Sequence, residues 1–244
     1  MSLYADSVYP VRAAVEQIHQ ETLDSFARPG TWLTGAQRAW LVAQARDARI
    51  QAGLQEALHD APALPADAGL PAVAGRIARR IAVSVTDLDR SILEEALAGG
   101  LTDAEYVEIV GVVSRAVNVD VFARGIGVPM RALPAVTAGE PSRARPQAAR
   151  SEGAWVDSVP GGARGGEMAK HIYDSSAPQA APFILRALSL VPDEARGLIC
   201  LGRAQYLNIE QRFMDMEFSH NPSLSRMQLE LVAARVSAIN QCFY

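Results

Sequence analysis

Two side chains near the end of the sequence could do chemistry together. Cys242 is a thiol, and Glu230, twelve positions earlier, is the only acid in the stretch Leu224–Tyr244. A thiol attacks only as the thiolate, and an acid beside it can take up or return the proton. Asn240 has N-cap chemistry. A helix starting there would put Cys242 in its first turn, where the helix dipole and open amides favour an anionic sulfur. Along one unbroken helix the pair would be roughly 18 Å apart. The two meet only if the chain bends between them, and Asn240 is the expected bend.

The element that must position them is predicted over Ser225–Ile239. Ser225 and Gln228 have capping-box spacing, in which a hydroxyl bonds the amide three residues on and the later side chain reaches back. Met227, Leu231, Ala234 and Ala238 recur at helical spacing, widened by Val232, Val236 and Ile239. The same device is written at Thr34 and Gln37, and again at Thr102 and Glu105. Laid over each other without gaps, the first and last of these segments pair Leu33 with Leu224, Gln37 with Gln228 and Ala43 with Ala234, a faint internal repeat. In that register Glu230 faces Ala39 and Cys242 faces Gln51, so the first copy has lost both chemical residues and its expected role is structural.

The run from Glu230 through Arg235-Val236-Ser237 and Asn240 to Cys242-Phe243-Tyr244 resembles the signature of the alkylhydroperoxidase D / carboxymuconolactone decarboxylase superfamily, and within it the two-repeat peroxidase-related proteins. Thr102–Val128 and Arg186–Arg196 resemble other helices of that group. The resemblance implies an all-α fold of two related halves, the first degenerate: residues 1–130, a linker or long loop over 131–167, and 168–244. It also implies a homo-oligomer, dimer or trimer. The activity implied is a thiol oxidoreductase that reduces peroxides or disulfides, with a thiol or disulfide reductant as second partner. Cys242 would be the redox thiol and Glu230 the proton-relay acid, with no cofactor. The family's second cysteine would fall just after Tyr244, and its histidine about one helical turn later. The sequence stops before both. The expectation is a shortened chain or a UGA selenocysteine codon read as stop. As given, a sulfenic acid on Cys242 lacks its local resolving thiol, and a carboxylate at Tyr244 would oppose thiolate formation. Two other readings stand beside this one: a non-catalytic helical interaction protein, and a cysteine-independent lactone decarboxylase.

The remainder of the sequence narrows the field. A net charge of −4 offers no broad basic surface for nucleic acid or anionic membrane. Two cysteines in 244 residues make no disulfide framework. Cys200, between Ile199 and Leu201, reads as buried and inert. Glu230 could also be a buried acid paired with Arg235 or another arginine. The four histidines, His19, His59, His171 and His220, lack metal-ligand spacing. No apolar run approaches 18 residues and no signal peptide is legible, so the expected location is the cytoplasm.

Helices are predicted over Val8–Phe26, over Leu70–Ala98 with a break near Thr86 and a stop at Gly99-Gly100, and over about Thr102–Ile126 with Ile109, Val112, Val113, Val117 and Val121 inside. Further helices are expected at Phe183–Leu190 and from Pro192 to about Asn208, with turns at Ala61–Pro71 and Asn221-Pro222. Arg131–Glu167 has no period. It reads as a loop, its Gly161–Gly166 run flexible and Trp155 its anchor.

Overall fold

The computed structural model describes residues 2–57, 68–173, 181–206 and 223–242. Among these residues there is no strand, only a single antiparallel bridge between Arg150 and Ser158. The elements are α1 (Ala13–Phe26), α2 (Gly35–Gln51), α3 (Ala72–Val83), a 3₁₀ turn (Val85–Asp87), α4 (Ser91–Ala98), α5 (Asp103–Gly125), α6 (Gly162–Tyr173), α7 (Phe183–Arg186), α8 (Pro192–Gln205) and α9 (Arg226–Ile239). The all-α expectation holds. The predicted turns at Ala61–Pro71 and Asn221-Pro222 lie wholly or largely outside the described residues, as do His59 and His220.

Local chemistry sets most of the helix ends. All three expected capping boxes form with both hydrogen bonds, at Thr34/Gln37, Thr102/Glu105 and Ser225/Gln228. The break near Thr86 is the 3₁₀ turn between α3 and α4, and Gly100, at φ 95°, turns the chain after α4. The first helix begins later than predicted, at Ala13. Arg12 is its extended N-cap, which leaves Val8 and Tyr9 exposed.

The core is built around α2, α3 and α5, with α8 bridging α1, α5 and α6. One apolar cluster runs from Phe26, Leu41, Ile77 and Ile109 through to Val159, Ile172, Leu190 and Ala195, so residues before 131 and after 167 share a single interior. α5 is buried on nearly every side, but Val121 is exposed, contrary to expectation, and Val119 takes the inside position.

The stretch 131–167 lacks helical period yet is fastened to the body. Thr137 N–H donates to Ala27 O at 2.8 Å and Arg143 N–H to Thr31 O at 2.7 Å. Arg145 grips Asp103 through two bonds of 2.9 Å. Val159 is held from both sides: its N–H donates to Ser189 Oγ, and its carbonyl accepts from the Tyr173 hydroxyl. Trp155, the expected anchor, is exposed; arginines and backbone bonds hold the segment instead. The glycine run is also not a plain loop, because α6 starts at Gly162 and kinks at Gly166 (φ 56°).

Candidate functional site

α9 carries the two residues singled out by sequence. It is one uninterrupted helix from Arg226 to Ile239, and Asn240 is its C-cap rather than the N-cap of a following helix. Gln241 takes a left-handed conformation, φ 51°, and its N–H donates to Ala238 O, while Cys242 N–H donates to Ser237 O at 2.9 Å. That pair of bonds is a Schellman finish, which satisfies carbonyls at the end of a helix. Cys242 therefore follows the carbonyl end of α9, the negative pole of its dipole. The expected amide-rich first turn is not formed within the described residues. Its side chain is exposed.

Glu230 stays on the rod. Ile239 lies nine positions further along the helix, roughly 14 Å of axial rise, so the structure does not bring Glu230 and Cys242 together within one chain. The acid is half-buried and points back to the body. It accepts from the Tyr206 hydroxyl and pairs with Arg226 Nε at 3.2 Å; Arg226, not Arg235, is its arginine. Burial and that hydrogen bond to Glu230 push the Tyr206 hydroxyl up to about 12. Most of the rest of α9 is open, and its large apolar side chains Met227, Leu231, Val232, Val236 and Ile239 are all exposed. Cys200, on α8, is half-buried.

A second arrangement was not anticipated. Where α1, α2, α5 and α8 converge, four buried charges interlock. Arg38 of α2 pairs through Nη1 with Glu108 of α5 and, at 2.9 Å, with Glu194 of α8. Arg115 of α5 holds Glu194 Oε2 from Nη2 at 2.5 Å and from Nε at 3.0 Å. Glu108 also accepts the Trp32 N–H at 2.6 Å. Two guanidiniums and two carboxylates balance in charge, as burial demands.

The two acids differ because their partners differ. Burial raises both, but Arg115 and Arg38 together outweigh it at Glu194 and hold that carboxyl below its ordinary range. Glu108 has only the shared Arg38 and one amide, so burial wins and its carboxyl is raised. Glycines give the network its room. A β-carbon at Gly30 would overlap the Glu108 and Arg38 side chains, and one at Gly111 would sit 2.5 Å from Glu194 Oε2.

Beside this cluster lies a cavity of about 310 Å³, bordered by Arg28, Arg38, Arg115, Ser25 and Glu194, with Asp193 at its rim. No set of three or more histidine, cysteine or acidic side chains placed to hold a metal occurs among the described residues. No helix among them is long and apolar enough to cross a membrane. Sequence reasoning passed over the cluster, although one signal was available. Glu108, Gly111 and Arg115 share one face of a helix that is otherwise lined with valine, alanine and isoleucine. Neither family models nor curated proteins nor solved structures give a match to this chain.

Proposed function

We propose that the chain is a peroxidase-related thiol oxidoreductase of the alkylhydroperoxidase D-like kind, with Cys242 as its redox thiol. The observation that carries the reading is the last helix. A capped, outward-facing α9 presents Glu230, Arg235, Asn240 and Cys242 in the order of the family signature, with the sulfur exposed where a peroxide can reach it. In the reaction, the Cys242 thiolate attacks a peroxide oxygen. The S–O bond forms as the O–O bond breaks, and the leaving alkoxide takes a proton. Sulfur is oxidised to sulfenic acid and the peroxide is reduced to an alcohol. A small-molecule thiol then condenses with the sulfenic acid and releases water, and a second equivalent of that thiol reopens the mixed disulfide.

Glu230 is the acid proposed to move the proton. Because its own Cys242 lies at the far end of α9, the partner sulfur belongs to a second copy, and the exposed stripe from Met227 to Ile239 is the surface through which copies assemble. An apolar face of this kind is what a homo-oligomer covers.

Peroxide consumption with a small thiol as reductant tests this. Cys242→Ser should abolish it. Glu230→Gln should lower it by about 10²-fold, the scale of one acid–base group, and mixing the two variants should restore part of the rate. A Cys242 that reacts with peroxide no faster than free cysteine would sink the redox reading. That result would favour a non-catalytic helical oligomer, for which the carbonyl-end position of Cys242 and the open apolar stripe already speak.

A further inference from the structure

The cavity at the junction of α1, α2, α5 and α8 has a surplus of hydrogen-bond donors. Its inner acceptors are occupied. Glu194 takes Arg38 and Arg115. The Ser25 hydroxyl accepts from Arg115 Nη1 at 3.2 Å and donates to Thr22 O, while Ser25 O accepts from Arg38 Nε. The donors are not used up. Arg38, only 3% exposed, donates through Nε and Nη1, and its Nη2 donates to no described atom. Arg28, an exposed residue of the cavity lining, donates only through Nε, to Asp24 O at 3.2 Å, and its terminal amino groups donate to no described atom. Guanidinium amino groups that line a cavity with no protein acceptor are placed to bond an anion that enters it.

The filler is constrained in charge and shape. The inner cluster is already neutral, and Asp193 at the rim, facing His171 Nε2 at 3.6 Å, opposes a dianion. Guanidinium forks match the two oxygens of a planar carboxylate. The volume, about 310 Å³, sits at the small end of ligand pockets. We propose that this cavity binds a small monocarboxylate, gripped by the terminal amino groups of Arg28 and by Arg38 Nη2. Gly30 keeps the floor open: any side chain there would displace the Arg38 and Glu108 heads. The site shares no residue with α9, so it stands or falls apart from the thiol chemistry.

Calorimetric titration of the full chain with propionate is the test. Saturable binding is expected, with none for methyl propionate, which has the size but not the charge. Arg38 variants risk unfolding, so Arg28→Gln carries the comparison. The Arg28 side chain bonds the fold only through one backbone carbonyl, and its loss should weaken propionate at least about tenfold, the worth of one charge-assisted bond or more. Cys242→Ser should bind propionate as the unaltered chain does. Absence of saturation, equal affinity in Arg28→Gln, or tighter binding of inorganic phosphate than of propionate each overturns the proposal.

Discussion

α2 and α9 start and finish alike and are buried oppositely. Each opens on a reciprocal capping box and closes on a Schellman pair: Gly53 to Ile50 and Leu54 to Arg49 in the first, Gln241 to Ala238 and Cys242 to Ser237 in the second. Yet α2 hides three arginines, while α9 shows Met227, Leu231 and Val232 at 68%, 71% and 63% exposure. Partners, not residue type, make the difference. Every α2 arginine meets an acceptor inside: Arg38 the glutamates, Arg46 a two-pronged bond to Asp120, Arg49 the carbonyl of Ala82. Its apolar side meets α3 closely enough that the Trp40 ring lies 2.9 Å from where a β-carbon of Gly75 would sit. The side of α9 turned to the body is polar, Arg226 and Glu230, and its large apolar side chains are exposed.

The largest expected effect separates the two helices by paired substitution. Arg38→Met strands the buried Glu108 carboxylate and takes one of the two arginines from Glu194, and should cost about 3–5 kcal/mol, whereas Arg235→Met on α9 should stay within roughly 0.5 kcal/mol. Leu41→Ala, in the closed core, should cost about 2–5 kcal/mol, against almost nothing for Leu231→Ala. Urea unfolding of the four variants reads all of these. A Leu231→Ala loss as large as that of Leu41→Ala would mean that α9 is packed in solution, and the contrast would collapse.

Acid should weaken the α2 side next. His19 of α1 is wholly buried, with Nδ1 at 2.6 Å from the Tyr4 hydroxyl, Nε2 beside the Gln205 amide, and the Phe122 ring 4.7 Å away. Burial lowers its protonation to about pH 4, while an unfolded histidine protonates near 6.5. Between those values the unfolded chain binds more protons. Stability from this group is therefore complete above pH 6.5 and drains as pH falls toward 4, by about 3 kcal/mol at most. Unfolding curves at the two ends of that window should differ less for His19→Gln by that amount. A variant with an unchanged pH slope would show that other groups set the acid response.

What the sequence made legible was short-range. The three capping boxes, the break near Thr86 and the stop at Gly100 depend on residues three or four apart, and each formed as expected. Asn240 was misread because its side chain serves either end of a helix, and only the path of the following residues decides which. The charge cluster was illegible because its members lie far apart: Arg38 meets Glu108 across 70 positions and Arg115 meets Glu194 across 79. No local period marks such a pairing. How the segment 131–167 is fastened was illegible for the same reason, since its fasteners, such as Arg145 to Asp103, are long-range bonds made by an aperiodic stretch. The likeness of α2 to α9 was legible as sequence, but their opposite environments were not, because environment belongs to the neighbours.

The caps give the smallest effect and the finest discrimination. Thr34→Ala and Ser225→Ala each delete one side-chain bond to an amide, at 3.3 Å in both helices, and each should cost about 1 kcal/mol. The cost should surface in different measurements. α2 cannot fray without opening the core, so Thr34→Ala should lower the global unfolding midpoint. α9 can loosen alone, so Ser225→Ala should leave the midpoint in place and speed amide exchange in the first turn of α9 by about fivefold, the equivalent of that energy. Equal midpoint shifts from the two substitutions would tie α9 to the core as firmly as α2. The outward apolar stripe would then need a covering partner already present in solution, and urea unfolding at several protein concentrations would reveal it as a midpoint that climbs with concentration.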